Sequence, residues 1–290
     1  MTKLTTLILF LISVSLIFLV CTSNPIFEDR NSSSKQTIKG KIQLSDGASP
    51  DSVFVWLEGF NLSTYTDGGG HFTIQLPPPQ SQSGGGLTGD YRIFYYVGNY
   101  RIATSSAVIR NGSFEYGAGD IDTDGNVSGT KILQKLADIH TMIQPSEIPE
   151  YDSSRVGITL SVTVTVVPTM NSVEVKMPIG PGGLLTAMIF KGINSPISDA
   201  VLYGNPQLSE SIHVTATRNW QTGIKVRNIN LTPYYTLEAG EYEVIPYLRI
   251  VQDDLPDGLI ESIGENADTF NHDYLKIPIR LNPGRLTVTE

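Results

Sequence analysis

The run TIKGKIQL at positions 37–44 opens the part of the chain that decides its fold. Its apolar residues Ile38, Ile42 and Leu44 fall on one face of an extended strand, while lysines and a glutamine fall on the other. The next run, SVFVWLE at positions 52–58, is apolar on both faces, which is typical of a strand in the middle of a covered sheet. The pattern therefore predicts a half-exposed strand followed by a central strand.

The chain then reverses direction at TDGGGHF, positions 66–72. Asp67 can accept hydrogen bonds from the backbone of its own turn, and the glycines supply the positive φ that a tight hairpin or bulge needs. The strand that contains Phe72 ends at three consecutive prolines, 77–79, because proline has no amide hydrogen to donate within a sheet. The region 37–97 is therefore predicted to form a small antiparallel β-sandwich.

Four short motifs follow one another in this region: Ile-x-Gly-x-Ile, Val-x-Val-x-Leu-x-Gly, Thr-Asp-x-x-Gly-x-Phe, and Leu-Pro-Pro ahead of a tyrosine. They are carried by Ile38, Gly40 and Ile42; Val53, Val55, Leu57 and Gly59; Thr66, Asp67, Gly70 and Phe72; and Leu76, Pro77, Pro78 and Tyr91. This order resembles the carboxypeptidase regulatory-like family, also called transthyretin-like, although a polar insert at 80–89 stands where the family has a tight glycine turn. The resemblance implies a seven-stranded sandwich over 37–118 that serves as a stalk or companion domain, generally without catalysis of its own.

Length and charge narrow the choice of function. The chain has 290 residues, enough for about two domains. It carries 29 acidic against 20 basic residues and a net charge of -9, so a nucleic acid would be repelled rather than bound. Its 27 glycines and 17 prolines fit a turn-rich β protein. Nucleic acid is therefore not expected as a partner.

An export signal is predicted over positions 1–21. A short basic start precedes an apolar run, Leu4–Val20, which ends at Cys21, the single cysteine of the chain. The arrangement resembles the bacterial lipoprotein signal, in which the cysteine becomes the lipidated N-terminus, although Val20 is larger than the residue normally cut before it. A cleaved signal and a retained signal anchor are the alternatives, because about 17 residues is the lower limit for a transmembrane helix.

Lipidation of Cys21 would hold the mature chain at a membrane, because several acyl chains bind stably where one chain is marginal. The polar stretch 22–36 would then act as a flexible tether. The implied location is the cell envelope, with the protein facing the periplasm or the cell exterior. The mature chain would have no thiol, so it needs no disulfide in an oxidising compartment.

An acidic run, GDIDTDGNVSGT at positions 119–130, follows the predicted sandwich. The spacing of its acids, with a glycine at the sixth position and an aliphatic residue at the eighth, resembles the calcium loop of EF-hands and dockerins. The metal ligands that this resemblance implies are Asp120, Asp122, Asp124, Asn126 and Ser128. Lys131 departs from the pattern, because the family places a bidentate acid at that twelfth position. Two interpretations stand: a calcium site completed by another acid or water, and a solvated Asp/Gly turn that caps a helix.

A short helix is predicted directly after this run. Ile132, Leu133, Leu136 and Ile139 have the spacing of one helical face. The stretch 119–154 is therefore interpreted as an acidic loop, a short helix and a linker.

The rest of the chain, 155–290, is predicted to form a second β-sandwich. Between positions 156 and 167 aliphatic residues alternate with threonines and a serine, which indicates a long half-exposed strand. Further short strands with recurring turns favour a sandwich. The strand candidates are Ser172–Met177, Leu184–Phe190, Ser211–Thr217, Gly223–Ile229, Glu241–Val251 and Tyr274–Leu281.

No set of residues in the sequence specifies a reaction. The four histidines, at positions 71, 140, 213 and 272, have none of the usual zinc spacings, and no hydrolase nucleophile elbow or phosphate loop is present. Aromatic residues could form a binding surface for sugars or a protein partner, although core positions would explain most of them. They are Trp56, Phe94, Tyr95, Tyr96 and Tyr100 in the first unit, and Trp220, Tyr234, Tyr235, Tyr242 and Tyr247 in the second.

The sequence thus predicts an all-β protein with two antiparallel β-sandwich domains joined by a short loop-helix connector. The predicted function is that of a non-catalytic cell-envelope lipoprotein, which acts as a binding or scaffolding module for an envelope protein or glycan. Two other functions stay open: an accessory subunit or degenerate hydrolase acting on envelope glycans or peptides, and a calcium-stabilised structural linker. Apart from calcium, no cofactor is expected.

Overall fold

The computed structural model describes residues 34–150, 158–170, 172–180, 184–204, 206, 210–217, 223–231 and 237–290. The signal segment with Cys21 and most of the predicted tether lie outside the described residues. Strands dominate the described part of the chain, which contains a single α-helix, α1 (Leu259–Ile263). The predicted all-β class is confirmed.

Eight strands form the N-terminal unit, residues 34–133. Their bounds are β1 Thr37–Leu44, β2 Phe54–Leu57, β3 Leu62–Tyr65, β4 His71–Gln75, β5 Gly89–Tyr96, β6 Ala103–Arg110, β7 Ser113–Phe114 and β8 Lys131–Leu133. One sheet has the strand order β3-β2-β5-β6-β7, and the other has the order β4-β1-β8. β1 is antiparallel to β4 and parallel to β8, so this sandwich takes in a strand beyond the predicted limit at 118.

The two N-terminal sheets bury the residues that the alternation predicts. Ile38 and Ile42 of β1 are fully buried, whereas Lys39 and Lys41 are exposed. Burial of each such aliphatic side chain contributes about 1.5–3 kcal/mol. All four residues of β2 are buried, and β2 lies between β3 and β5, as its two-sided apolar pattern predicts.

The turn that precedes β4 has the geometry predicted from its sequence. The Asp67 carboxylate accepts hydrogen bonds at Oδ1 from the backbone amides of Gly69 (2.9 Å) and His71 (2.8 Å). Gly70 has a φ of 79°, and a Cβ atom there would lie 2.1 Å from the carbonyl oxygen of Ile42. Glycine is required at this position, because the backbone of β1 leaves no room for a side chain.

The helix predicted over 131–139 is wrong, because two strands occupy this stretch. β8 pairs with β1, and β9 (Ala137–Gln144) pairs with β11 in the C-terminal unit. Every second residue of β9 is buried, which is the period of a strand. Ile132, one of the predicted helix-face residues, is 51% exposed. The helical spacing arose because the buried faces of two separate strands follow each other closely in the sequence.

Twelve strands of the described residues form the C-terminal unit, residues 137–290. After β9 they are β10 Glu147–Pro149, β11 Ile158–Pro168, β12 Ser172–Gly180, β13 Leu184–Leu185, β14 Ala187–Gly192, β15 Val201–Gly204, β16 Glu210–Thr217, β17 Gly223–Leu231, β18 Gly240–Pro246, β19 Arg249–Ile250 and β20 Gly284–Thr289. The sheet orders are β17-β11-β9, β13-β12-β16 with β19 beside β12, and β10-β20-β18-β14-β15. Leu160, Val162 and Val164 of β11 are fully buried, which confirms the predicted alternation of that strand.

The strand predicted over 274–281 is wrong. A 3-10 helix (His272–Lys276) begins this stretch, and the last strand starts later, at Gly284. Pro278 has no amide hydrogen for a sheet, and the apolar side chains of Tyr274 and Ile277 are buried by packing against the N-terminal unit instead. The apolar residues here therefore serve the junction between the units.

An apolar cluster joins the two units. The outer face of β2 and β5 contributes four aromatic residues, which pack against α1 and the 3-10 helix at 272–276. These residues are Phe54, Trp56, Phe94 and Tyr96. The five-stranded sheet β3-β2-β5-β6-β7 is consequently covered on both faces. The three-stranded sheet of the same unit covers one face, and the C-terminal unit covers the other.

A buried asparagine adds a polar link at the same junction. Asn99 is fully buried, and its Nδ2 donates hydrogen bonds to the carbonyl oxygens of Ala137 (3.0 Å) and Arg280 (2.7 Å). Its Oδ1 accepts a hydrogen bond from the Arg280 amide (2.9 Å). Each of these bonds joins a loop of the N-terminal unit to the C-terminal unit, so Asn99 fixes their relative position.

Candidate functional site

A cleft of about 740 Å³ opens on the C-terminal unit. Its walls are formed by β12, β15, β19 and the segment 268–270, and its partly exposed apolar lining includes Leu202, Tyr247 and Phe270. Sites for small ligands usually measure roughly 300–1,000 Å³, so the cleft has the size of a binding site.

Two cationic side chains stand opposite each other in this cleft. Lys176 of β12 and Arg249 of β19 are directly paired in the strand register, and side chains at paired positions project from the same face of a sheet. Arg249 donates a hydrogen bond from Nη2 to the carbonyl oxygen of Asp268 (2.9 Å). Among the described residues, neither cation forms an ion pair with a carboxylate. The cleft therefore presents two positive charges that have no ion-pair partner among the described residues.

Aromatic rings form the wall next to these cations. The Tyr247 ring lies 5.2 Å from the Phe270 ring and 4.8 Å from the Tyr274 ring. The Tyr247 hydroxyl donates a hydrogen bond to the carbonyl oxygen of Asp268 (2.8 Å), the same oxygen that Arg249 contacts. Two donors from the β18–β19 region thus hold the segment 268–270 in place.

The chain between β18 and β19 is positioned by a buried tyrosine. The Tyr274 hydroxyl donates to the carbonyl oxygen of Leu248 (2.8 Å) and accepts a hydrogen bond from the amide of the same residue (3.2 Å). Burial raises the pKa values of Tyr274 and of Tyr247, so both hydroxyls stay protonated at neutral pH. Both hydroxyls donate to backbone carbonyl oxygens of the protein, so the chemistry that the cleft offers to a ligand is that of its two cations and its apolar surface.

Most of this cleft is not predicted by the sequence. Of its charged and aromatic lining residues, only Tyr247 was among the aromatic candidates. Lys176 and Arg249 lie within predicted strands, where a basic residue ordinarily marks a solvent-facing position and nothing more. Asp268 and Phe270 lie in a segment without a recognisable pattern. The two cations meet only because β19 pairs with β12, and no local signal in the sequence announces that pairing.

Most of the other aromatic candidates contribute to packing. Trp56, Phe94 and Tyr96 belong to the junction cluster, and Tyr95 and Tyr100 are fully buried. In the C-terminal unit, Tyr242 packs against the core, and its hydroxyl bonds to the Glu238 carbonyl oxygen (2.9 Å). Trp220, Tyr234 and Tyr235 lie outside the described residues.

The histidines do not come together either. His71 is the first residue of β4, His140 Nδ1 contacts Asn282 Nδ2 (2.9 Å), and His272 Nε2 contacts the Ala200 carbonyl oxygen (2.9 Å). The side chain of His213 is outside the described part of the structure. The three described histidines lie in two strands and a 3-10 helix in separate parts of the chain.

The acidic run forms a turn whose carboxylates bind mainly to the backbone. Asp122 Oδ1 accepts hydrogen bonds from the amides of Asp124 (2.9 Å) and Asn126 (2.8 Å). These bonds, and the one from Asn126 most of all, lower the pKa of Asp122. Asp120 Oδ2 accepts from the Ser106 amide (2.9 Å) and lies 3.8 Å from Lys131 Nζ.

Of the other proposed calcium ligands, Asn126 directs its Nδ2 at Asp122 (3.2 Å to Oδ2), and Ser128 donates its amide to the carbonyl oxygen of Asp120 (2.7 Å). In the described ranges, no group of three or more His, Cys, Asp or Glu side chains is arranged to hold a metal ion. The helix that this turn was expected to cap is replaced by β8. The calcium site stays a prediction, and lipidation of Cys21, outside the described residues, stays one as well.

The chain has little similarity to known proteins. No protein-family model matches it, and neither does any curated protein. Among solved structures, a mutant of the shaft pilin SpaA from Lactobacillus rhamnosus GG is similar at 11% identity and a TM-score of 0.28, over 88% of this chain and 98% of that one. A streptococcal ancillary pilin matches at 13% identity and a TM-score of 0.21, over 86% of this chain and 62% of that one. BcpA, the major pilin subunit of Bacillus cereus, matches at 11% identity and a TM-score of 0.24, over 71% and 70%.

TM-scores in this range support no conclusion about the function of this chain. Nor does any helix within the described residues have the length and apolar character needed to cross a membrane.

Proposed function

We propose that this protein is a non-catalytic binding module of the cell envelope, and that the cleft of the C-terminal unit is its binding site. The proposal is supported above all by the Lys176–Arg249 pair, two cations held side by side without a carboxylate partner among the described residues. Like charges at paired strand positions repel each other, so the arrangement is costly to the free protein. A bound anion would remove that cost.

The junction between the units supports a scaffolding role. The aromatic face of β2 and β5 and the three hydrogen bonds of Asn99 hold the units in a fixed relation. A rigid body of this kind presents the cleft in one orientation, which lowers the entropy lost on binding. In the proposed location, the export signal and Cys21 would attach this body to the envelope membrane through the segment that precedes β1.

Site-specific photo-crosslinking in cells that make the protein tests this proposal. A benzoyl-phenylalanine placed at Thr269, on the exposed rim of the cleft, is expected to give one discrete crosslinked species. The same group at Thr123, in the exposed turn of the N-terminal unit, is the matched control and is expected to give none. Loss of the Thr269 product in a Lys176→Gln, Arg249→Gln background would tie the contact to the cations.

Two results would contradict the proposal. One is the same crosslinked pattern at Thr269 and Thr123, which would indicate random collisions at the cell surface. The other is hydrolysis of envelope glycans or peptides by the purified protein that is abolished by Asp268→Asn, which would make the cleft an active site.

A further inference from the structure

The charge of the cleft is opposite to that of the whole protein. The chain has a net charge of -9, yet Lys176 and Arg249 face the cleft side by side without an ion-paired carboxylate among the described residues. The guanidinium group of Arg249 has five donors, and within the described part of the chain only Nη2 is engaged, by the Asp268 carbonyl oxygen. The remaining donors and the Lys176 ammonium group can bind carboxylates, for which the planar arginine fork has a matching geometry.

Besides the two cations the lining includes Asp268 and Thr269, and its apolar side chains form no flat platform for a sugar ring. The rings of Tyr247 and Phe270 are inclined by 54°, so they do not form one flat platform. Leu202 and Pro206 add aliphatic surface, against which sugar hydroxyl groups would lack hydrogen-bond partners. A leucine or phenylalanine side chain from a partner would instead gain free energy by leaving water at this surface.

We infer that the cleft binds a short acidic peptide segment in which carboxylate side chains alternate with large apolar ones. The inference rests on the proposed function and specifies its ligand class. Carboxylates contact Lys176 and Arg249, and the apolar side chains pack on Tyr247, Phe270 and Leu202. A volume of about 740 Å³ limits the bound segment to a few residues.

Fluorescence anisotropy with two matched peptides tests this inference. The probe is the end-blocked, fluorescein-labelled peptide Glu-Leu-Glu-Phe-Gly, and its counterpart is Gln-Leu-Gln-Phe-Gly. The full-length protein is used in dodecyl maltoside micelles, at constant physiological salt because ionic strength screens such contacts. The acidic peptide is expected to bind at least about tenfold more tightly, the smallest factor that one charge-assisted hydrogen bond supplies.

The cleft variant is Lys176→Gln, Arg249→Gln, which is expected to remove the preference for the acidic peptide. Its control is Lys39→Gln, Lys41→Gln on the exposed face of β1, which changes the net charge equally and is expected to keep the preference. Arg249→Gln also removes the bond to Asp268, so the Tm of each variant is measured. Lys176→Glu leaves that bond in place and is expected to reverse the preference.

Equal binding of the two peptides would overturn the inference, as would an equal loss of the preference for the acidic peptide in the β1 control. Tighter cleft-dependent binding of oligogalacturonate would also overturn it, because it would indicate an acidic glycan. Affinity too weak to measure for either peptide also counts against it. If the Thr269 crosslink persists in any of these cases, the protein is still a binding module and only the ligand class is wrong. If the crosslink is absent while the acidic peptide binds, the ligand class stands and the cellular function must be reconsidered.

Discussion

Two turns of the N-terminal unit, at 67–71 and 122–126, share one geometry although their sequences suggest different functions. In each, the aspartate Oδ1 accepts hydrogen bonds from the amides two and four residues later, and the aspartate amide donates to the carbonyl oxygen of the fifth residue. The fourth residue is a glycine with a φ of 79° at Gly70 and 82° at Gly125. The two Asp-x-x-Gly-x segments of this unit therefore form the same turn.

Both turns dock on β1, from its two edges. The carbonyl oxygen of Gly70 accepts from the Ile42 amide (2.9 Å), and that of Gly125 accepts from the Lys39 amide (3.0 Å). The difference lies in what surrounds each glycine. A Cβ at Gly70 would meet backbone, 2.1 Å from the Ile42 oxygen, whereas a Cβ at Gly125 would meet the Tyr116 ring at 2.6 Å. A side chain can move aside more easily than a strand can.

Replacing the two glycines by alanine should give the largest effects and should separate the turns. Gly70→Ala combines a positive φ with a backbone clash, so we expect the free energy of unfolding to fall by at least about 2 kcal/mol. Gly125→Ala has a similar φ but a movable neighbour, and we expect a loss of about 1–2 kcal/mol. Urea denaturation measures both values.

Gly68→Ala is the control, because no atom lies within 4 Å of a Cβ there and its φ is not positive. Its effect should stay within about 0.5 kcal/mol. An equal loss for Gly70→Ala and Gly125→Ala would show that the surroundings of the glycine do not matter.

Removing the aspartate carboxylates should have the next largest effect. Asp67→Ala and Asp122→Ala each leave two turn amides without their acceptor, so both should lower the Tm. Asp124→Ala is the control, because Asp124 contributes its amide rather than its carboxylate to the turn. A Tm for Asp124→Ala as low as that for Asp122→Ala would mean that the acidic run acts as a charge cluster and not as a second copy of the first turn.

The pH dependence of stability should reveal the same two carboxylates. Backbone hydrogen bonds lower the pKa values of both aspartates in the folded protein. The main cause is the bond from the His71 amide for Asp67 and the bond from the Asn126 amide for Asp122. A carboxylate whose pKa is lower in the folded protein stabilises the fold at pH values above its unfolded-state pKa. That stabilisation is lost as the pH falls through its folded-state pKa. The Tm gap between wild type and Asp67→Asn, Asp122→Asn should therefore shrink from about pH 6 to about pH 3. A gap that is independent of pH would contradict these shifts.

Added calcium should have the smallest effect on the Tm, and this measurement distinguishes the two interpretations of the second turn. Because Asp122 Oδ1 already accepts two amides, we expect added calcium to change the Tm of wild type and of Asp122→Ala, Asp124→Ala equally. Differential scanning fluorimetry with calcium and with EDTA measures this. A clearly larger rise for the wild type would establish the calcium-stabilised interpretation instead.

The two turns also show which features of the fold can be predicted from the sequence. The first was predicted correctly because Thr66 to Phe72 stand between two strand patterns that are themselves clear. The second contains the same aspartate and glycine, and its additional acids also match the ligand spacing of a calcium loop. The contacts of Asp122 are local to its own turn, like those of Asp67, whereas the contact of Asp120 with Ser106 depends on the folded chain.

The sequence by itself determined the all-β class, the central position of β2, the alternation along β11 and the Asp67 turn, because side-chain period and glycine conformation are local properties. Only the tertiary structure decided that 131–144 is extended, that the outer face of β2 and β5 is buried at the junction, and that Lys176 meets Arg249. Each of these depends on contacts between segments that are separated in the chain, and the entropy lost in bringing such segments together precedes the free energy that their pairing releases.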